Sequence, residues 1–200
     1  MKHNNIVRGI VICMVVLFVA LCVILATPVG AYDGNPIWTK KQLTLHYAAD
    51  MLREVGFSDD SAPIKALSAA WWQEWEDLNI IAKTIQHEAD PQWCEWEHSV
   101  AVGVVILNRV ESQYFGGDTV KEVVAWPGQY LEWYTYGFED TTRLAYLAAK
   151  AAMDGDHEVP SDCYWQDTSI QGTSIWRSFV CDTGWFRSTT FICRGIPGVN

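Results

Sequence analysis

The sequence predicts an α+β fold that is mainly α, with a small β-hairpin or sheet near its C-terminal end. Apolar residues recur at spacings of three and four over residues 78–89, which indicates an amphipathic helix. Residues 99–110 are apolar around almost the whole helical circumference, as expected of a helix at the centre of a domain. Beyond Pro160, short β-prone runs replace these helical patterns.

The N-terminal segment has the pattern of an export signal. Lys2 and Arg8 precede an unbroken apolar run over residues 10–26, and small residues follow it. This pattern predicts a signal peptide over residues 1–31, cleaved before Tyr32. A membrane anchor is the alternative, because about 20 apolar residues can span a bilayer. Either way, we expect the rest of the chain to be secreted, cell-wall associated or anchored facing outside.

The charge balance excludes some classes of partner. The chain carries a formal charge of −10, and removing residues 1–31 takes away two basic residues and no acidic ones, which gives −12. Such acidity argues against nucleic acid, and against membrane contact unless the leader is uncleaved. Half of the residues are apolar, which suffices for one full core, and we expect a monomer.

An N-terminal helical extension is predicted ahead of the main domain. Thr39 is placed to cap a helix that Gly56 ends, and Pro63 opens a second helix that runs through Ala70. The tryptophans that follow are expected to pack this extension, residues 32–75, onto a catalytic domain over residues 76–200. They are Trp71, Trp72 and Trp75.

One carboxylate lies on the apolar stripe of the helix over residues 78–89. Glu88 follows Ile85 by three residues, and Pro91 ends the helix because the residue before proline avoids helical geometry. Burial and the negative end of the helix dipole both disfavour an ionised carboxylate, so we expect the pKa of Glu88 to be raised. A raised pKa suits a general acid. The alternative is a solvated or salt-bridged Glu.

Two further helices are predicted in the second half of the chain. Asp118 or Thr119 caps a short one, and Asp140 or Thr141 caps a longer one that ends at Gly155. The residues expected to face the core are Val120, Val123 and Val124 in the first, and Leu144, Leu147, Ala148 and Ala151 in the second. Residues 164–165, 175–180 and 186–192 are β-prone, and a tight turn at 182–184 separates the last two runs.

Four cysteines lie outside the leader, and an even number in an exported chain predicts two disulfides. They are Cys94, Cys163, Cys181 and Cys193. If the last two β-runs pair, Cys181 lies beside the turn and Cys193 at the far end. They then cannot bridge, because bridged Cα atoms lie within about 7 Å, so each would pair with Cys94 or Cys163. A zinc site including His98 is the alternative, but no standard zinc spacing is present and we expect no metal.

Three sequence elements resemble the cell-wall hydrolase family of the spore-cortex-lytic enzyme SleB. They are Glu88-Ala89, the run AVGVVILNR ending in Asn108-Arg109, and Pro127-Gly128-Gln129-Tyr130. The resemblance covers roughly residues 78–193. It implies a lysozyme-like fold, peptidoglycan glycan as the partner, no cofactor, and Glu88 as the catalytic acid. The chain departs from the family pattern at Asp90-Pro91-Gln92 and at Thr189-Thr190-Phe191.

Aromatic rings beside amides are what a sugar-binding cleft needs, because rings stack on sugar C–H faces and amides bond hydroxyl and N-acetyl groups. We therefore predict substrate-binding roles for a set of such residues, whose alternative role is packing on the core. They are Gln129, Tyr130, Asn108, Tyr164 and Trp165.

The expected reaction is cleavage of the β-1,4 bond between N-acetylmuramic acid and N-acetylglucosamine. Ordinary glycosidases need a second carboxylate, and Glu95, Glu97 and Asp118 are weak candidates for it. A lytic transglycosylase needs only one, so we prefer that activity, in spore-cortex or cell-wall turnover. A hydrolytic muramidase is the second hypothesis, and an exported glycan-binding protein without turnover is the third.

Overall fold

The computed structural model describes residues 37–112, 114–130 and 141–199. Within these residues the chain forms five helices and one three-stranded sheet. The predicted signal peptide and the aromatic residues 131–134 lie outside the described residues. The elements are α1 (Lys40–Glu54), α2 (Ala62–Glu88), α3 (Trp96–Glu111), α4 (Val120–Ala125), α5 (Arg143–Asp154), β1 (Cys163–Asp167), β2 (Ser174–Asp182) and β3 (Arg187–Arg194). The predicted α+β class, mainly α, is confirmed. Within these residues no helix is both long and apolar enough to cross a membrane.

The N-terminal helices differ from the prediction at one boundary. Thr39 caps α1 as expected, and its hydroxyl accepts from the Gln42 amide in a capping box. The helix predicted to end at Ala70 instead continues to Glu88. It continues because no helix-breaking proline or glycine lies between Pro63 and Pro91. The proposed domain division between residues 75 and 76 therefore falls inside α2.

Aromatic side chains on α2 fasten it to its neighbours. Trp71 lies edge-on to Trp38, a residue just before α1, with ring centroids 5.5 Å apart. Trp75 stacks on Tyr146 of α5 at 6.4 Å, and the Tyr146 hydroxyl donates to the Asn79 side chain at 2.8 Å. Trp72 is 63% exposed, and its ring lies edge-on to that of Trp71 with centroids 5.1 Å apart.

Helix α3 is at the centre of the core, as its sequence predicts. It packs against α2 and α5. A Cβ on Gly103 would lie 2.8 Å from the Ala152 Cβ and 3.2 Å from the Ile81 Cγ2, so glycine allows this close approach. Helix α5 buries Ala145, Ala148, Ala149 and Ala152, so the predicted face is only partly correct: Ala148 is buried and Ala151 packs against the core. Its N-cap is Thr142, and Leu144 is 43% exposed.

The sheet is antiparallel in the order β1-β3-β2. In the β2–β3 hairpin, Cys181 pairs with Ser188 near the turn and Ile175 pairs with Cys193 at the far end, as predicted. A bulge interrupts the β1–β3 pairing between Cys163 and Trp165.

Two residues of α3 hold β1 in place. The Asn108 amide donates to the carbonyls of Pro160 and Cys163 at 3.0 and 2.9 Å. The Arg109 Nε donates to the Tyr164 carbonyl at 2.6 Å. The Asn-Arg pair therefore fixes where the start of β1 lies relative to α3.

Candidate active site

Glu88 is the last residue of α2 and is half-buried. The chain turns sharply after it, and the Ala89 carbonyl accepts a hydrogen bond from the Ser99 hydroxyl of α3 at 2.6 Å. The amides of Trp93 and Cys94 then donate to the Asp90 carbonyl. Because these bonds anchor the backbone on both sides of the turn, the Glu88 carboxylate projects from a fixed helix end.

A disulfide holds the loop that follows Glu88. Cys94 and Cys181 are bridged with their Cα atoms 4.4 Å apart, and the Asp182 amide donates to the Trp93 carbonyl at 3.3 Å. The loop is therefore tied to the end of β2. The predicted link between this loop and the C-terminal sheet is confirmed.

The prediction of a second disulfide is wrong in this structure. Cys163 and Cys193 are buried free thiols. Cys163 pairs with Arg194 across the strands and Cys193 pairs with Trp165, so the two cysteines are not direct cross-strand partners. The pKa of the Cys163 thiol is raised to about 12, mainly by burial, so this thiol remains protonated at neutral pH.

Glu88 opens into a pocket of about 330 Å³, here called the Glu88 pocket. Its walls come from the turn after α4, from the end of β1, from the β2–β3 hairpin and from the first turns of α3. The lining residues besides Glu88 are His98, Gln129, Gln166, Asp167, Thr168, Phe186, Ser188 and Thr190. The lining is rich in hydroxyl and amide groups, which can hydrogen-bond a sugar.

Gln129 reaches this pocket because Gly128 adopts a positive φ of 79° in the turn after α4. Tyr130, the next residue, is buried beneath it and does not line the pocket. Burial is the main cause that raises the pKa of Tyr130 to about 12, while the nearby Arg109 charge opposes the rise and that of Glu88 adds to it. The Arg109 guanidinium lies 5.3 Å from the Tyr130 ring centroid.

The other three residues predicted to bind substrate do not line the Glu88 pocket. Asn108 uses its amide to hold β1, as described above. Tyr164 and Trp165 pack against Phe115, with ring centroids 5.5 and 5.3 Å from its ring. The Trp165 indole donates to the Gly195 carbonyl at 2.7 Å. These contacts orient β1.

The sequence reasoning did not select Asp167, a second carboxylate that the structure places in the pocket. Its Oδ1 accepts from the Ser169 amide at 2.8 Å, and its Oδ2 accepts from the Gln171 side chain at 2.7 Å. The hydrogen bond from the Ser169 amide is the largest cause that lowers the pKa of Asp167, so it is ionised at neutral pH. The Asp-Thr-Ser order of a side-chain-capped turn was the available signal.

Gln166 also lines the Glu88 pocket, although the sequence did not predict it as a site residue. Its Oε1 atom is buried and has no hydrogen-bond partner among the described residues. A buried amide oxygen without a partner is costly, which suits an acceptor kept for a ligand N–H or O–H group. The sequence analysis predicted that Tyr164 and Trp165 lie in the cleft. Instead, the β-bulge after Cys163 directs Gln166 and Asp167 there.

His98 forms the floor of the pocket. It is fully buried, its ring stacks on Phe179 at 5.0 Å, and its Nδ1 lies 3.3 Å from the Cys181 sulfur. Burial lowers the pKa of His98 to about 4, so the imidazole is neutral. Ligand atoms of Cys94, His98 and Cys181 lie within 4.8 Å of one another. Since the two sulfurs are bonded to each other, only His98 offers a free ligand atom.

Residues 95–192 match the model of a protein family described as Cell Wall Hydrolase. Searches of curated proteins and of solved structures each found no significant match. The matched segment spans about half of the chain and contains every residue that lines the Glu88 pocket except Glu88, which precedes it. Over residues 95–192, the chain is therefore similar to the Cell Wall Hydrolase family.

Proposed function

We propose that the protein is a lytic transglycosylase that cleaves peptidoglycan strands between N-acetylmuramic acid and N-acetylglucosamine, with Glu88 as acid and base. The match to the Cell Wall Hydrolase family supports a peptidoglycan-degrading enzyme in general. The observation that carries the finer proposal is the position of Glu88, a half-buried carboxylate at a fixed helix end in a pocket of hydroxyl and amide groups. Such a pocket suits a neutral, hydroxyl-rich glycan.

The reaction needs one proton donor that later accepts a proton. Protonated Glu88 transfers its proton to the glycosidic oxygen as the bond to the anomeric carbon breaks. The muramic C6 hydroxyl then attacks that carbon, and its proton passes to the Glu88 carboxylate. The products are a new non-reducing end and a 1,6-anhydromuramic end. No water is consumed, and Glu88 returns to its starting form.

Asp167 is suited to stabilising positive charge in the transition state. Both of its oxygens already accept hydrogen bonds within its own turn, so it is a fixed negative charge and a poor nucleophile. An oxocarbenium-like transition state gains from such a charge. A hydrolytic muramidase is the second candidate function because Asp167 lies in the same pocket as Glu88. In that case Asp167 activates a water molecule.

Mass spectrometry of the products from purified peptidoglycan tests this choice. The proposal predicts muropeptides that end in 1,6-anhydromuramic acid. Products that end in reducing muramic acid would instead show that the protein is a hydrolytic muramidase. If the wild-type protein releases no fragments from vegetative-wall or spore-cortex peptidoglycan, the third hypothesis, a glycan-binding protein, takes its place.

The substrate of this family lies in the cell wall, and we propose that the protein acts outside the cytoplasm after export directed by residues 1–31. The acidic charge of the chain provides no attraction to an anionic wall. Binding must therefore rest on the neutral contacts of the Glu88 pocket and on other surface sites.

A further inference from the structure

A second pocket of about 350 Å³ lies on another side of α3, here called the Trp96 pocket. The start of α3 contributes Trp96, Glu97 and Val100 to it, while His98 lies in the Glu88 pocket. Residue 98 is displaced by about 200° around the helix from residue 96, so the two pockets open on opposite sides of this turn. They share no lining residue.

Two indole rings give the Trp96 pocket an apolar surface. Trp96 is 42% exposed, and Trp176 of β2 is half-buried with its ring 6.2 Å from Phe179. Leaving indole surface in water is unfavourable. An exposed ring in a concave site is therefore suited to covering the aliphatic part of a ligand or to a cation that sits over its face.

The charges around these rings are arranged for a ligand that carries both signs. Glu97 and Glu158 each offer a carboxylate, and in the described residues neither takes part in an ion pair. Asp156 is already paired with Lys40 at 2.6 Å. Arg177 also lines the pocket, with its guanidinium 5.0 Å from the Phe179 ring centroid and no ion-pair partner in the described part of the chain.

We propose that the Trp96 pocket binds the stem peptide of peptidoglycan, through the ammonium group of its diamino acid and a neighbouring carboxylate. Glu97 and Glu158 face the ammonium group, Arg177 binds the carboxylate and the indoles cover the aliphatic side chain. The glycan strand carries no cation and does not match two free carboxylates. This inference rests on the proposed function, because it takes peptidoglycan as the substrate. The protein would then bind preferentially to glycan strands that carry stem peptides.

Binding of a free stem peptide, which contains no glycosidic bond, tests the inference. The probe is a synthetic N-acetyl-L-Ala-γ-D-Glu-L-Lys-D-Ala peptide, whose only cation is the lysine ammonium group. It is titrated into the protein comprising residues 32–200 by calorimetry and compared with the same peptide acetylated on the lysine side chain as well. We expect acetylation to weaken binding by about tenfold, because it removes the cation. Trp96→Ala and Glu158→Gln are expected to weaken binding of the unmodified peptide by a similar factor.

Matched controls are Trp72→Ala and Glu54→Gln, which change an exposed indole and an exposed carboxylate on the N-terminal helices. They should bind the peptide as the wild-type protein does. Equal affinity for the two peptides, no binding of either, or equal losses in the controls would overturn the inference. Cleavage of peptide-free glycan without peptide binding leaves the proposed function in place. Peptide binding without any glycan cleavage would reject the proposed enzymatic function but support peptide binding by the Trp96 pocket.

Discussion

At the scale of single residues, two amides with similar sequence signals have different roles. Gln129 lines the Glu88 pocket, whereas Asn108 is 7% exposed and donates two hydrogen bonds to backbone carbonyls before and in β1. Both were predicted to lie in the cleft because each belongs to a family-like motif. Only the packing of β1 on α3 separates a substrate contact from a structural bond.

Substitution separates these two roles. Gln129→Ala should raise KM for glycan with little change in the free energy of unfolding, because the side chain is half-buried and faces the pocket. Asn108→Ala should lower that free energy by about 1–3 kcal/mol, because it leaves two carbonyls without a donor. Denaturant unfolding and steady-state kinetics on both variants check this. The assignment fails if Asn108→Ala is as stable as wild type but raises KM.

His98 links pH to stability. Its pKa is about 4 in the folded chain and near 6.5 when unfolded. The unfolded state therefore binds more protons between these values, and stability falls as the pH drops from about 6.5 towards 4. The contribution from this residue is on the order of 3 kcal/mol. Desolvation is its cause, since the neighbouring Phe179 ring and Cys181 sulfur carry no charge.

A His98→Asn variant cannot titrate, so its free energy of unfolding should change less steeply over this pH range than that of the wild type. Urea unfolding at several pH values from 4 to 7 measures the difference. Parallel pH profiles for the two proteins would show that His98 is not the group responsible. The raised pKa expected for Glu88 stays a prediction that the pH–activity profile can test.

At the scale of elements, the caps of α1 and α4 were predicted correctly, whereas the cap of α5 is Thr142 and not the predicted Asp140 or Thr141. Thr39 and Thr119 cap α1 and α4 as their spacing indicates, because a capping hydroxyl acts on amides two or three residues away. The continuity of α2 and the burial of Ala145, Ala149 and Ala152 on α5 were missed, since both depend on packing partners distant in sequence. The entry of Gln166 and Asp167 into the pocket depends on a strand bulge, which local sequence patterns do not reveal.

The cysteines provide an element-scale prediction. The loop after Glu88 is tied to β2 by Cys94–Cys181, while Cys163 and Cys193 are buried thiols on neighbouring strands. Alkylation of the native, unreduced protein should therefore label no cysteine within residues 32–200, because both thiols are buried. After denaturation without reductant it should label two, and peptide mapping should identify them as Cys163 and Cys193. No labelled thiol after denaturation would restore the two-disulfide prediction.

At the scale of the whole molecule, the candidate site joins two parts of the chain. The family segment over residues 95–192 supplies the walls of the Glu88 pocket, and α2, which precedes it, supplies the carboxylate. The resemblance in sequence predicted the family, the fold class and the nearness of Glu88 to Gln129. It could not predict Asp167, or the second pocket on the other side of α3, because both arise from how the sheet packs on that helix.

The central claim is that Glu88 carries out glycan cleavage, and one comparison tests it most directly. Muropeptide release from purified peptidoglycan is measured for the wild type, for Glu88→Gln and for Glu95→Gln. Glu95 is the N-cap residue of α3, and its exposed carboxylate makes no capping hydrogen bond. Glu88→Gln should fold with an unchanged melting temperature and lose at least about 100-fold in rate, while Glu95→Gln stays close to wild type. A Glu88→Gln protein that releases muropeptides at the wild-type rate would contradict the claim.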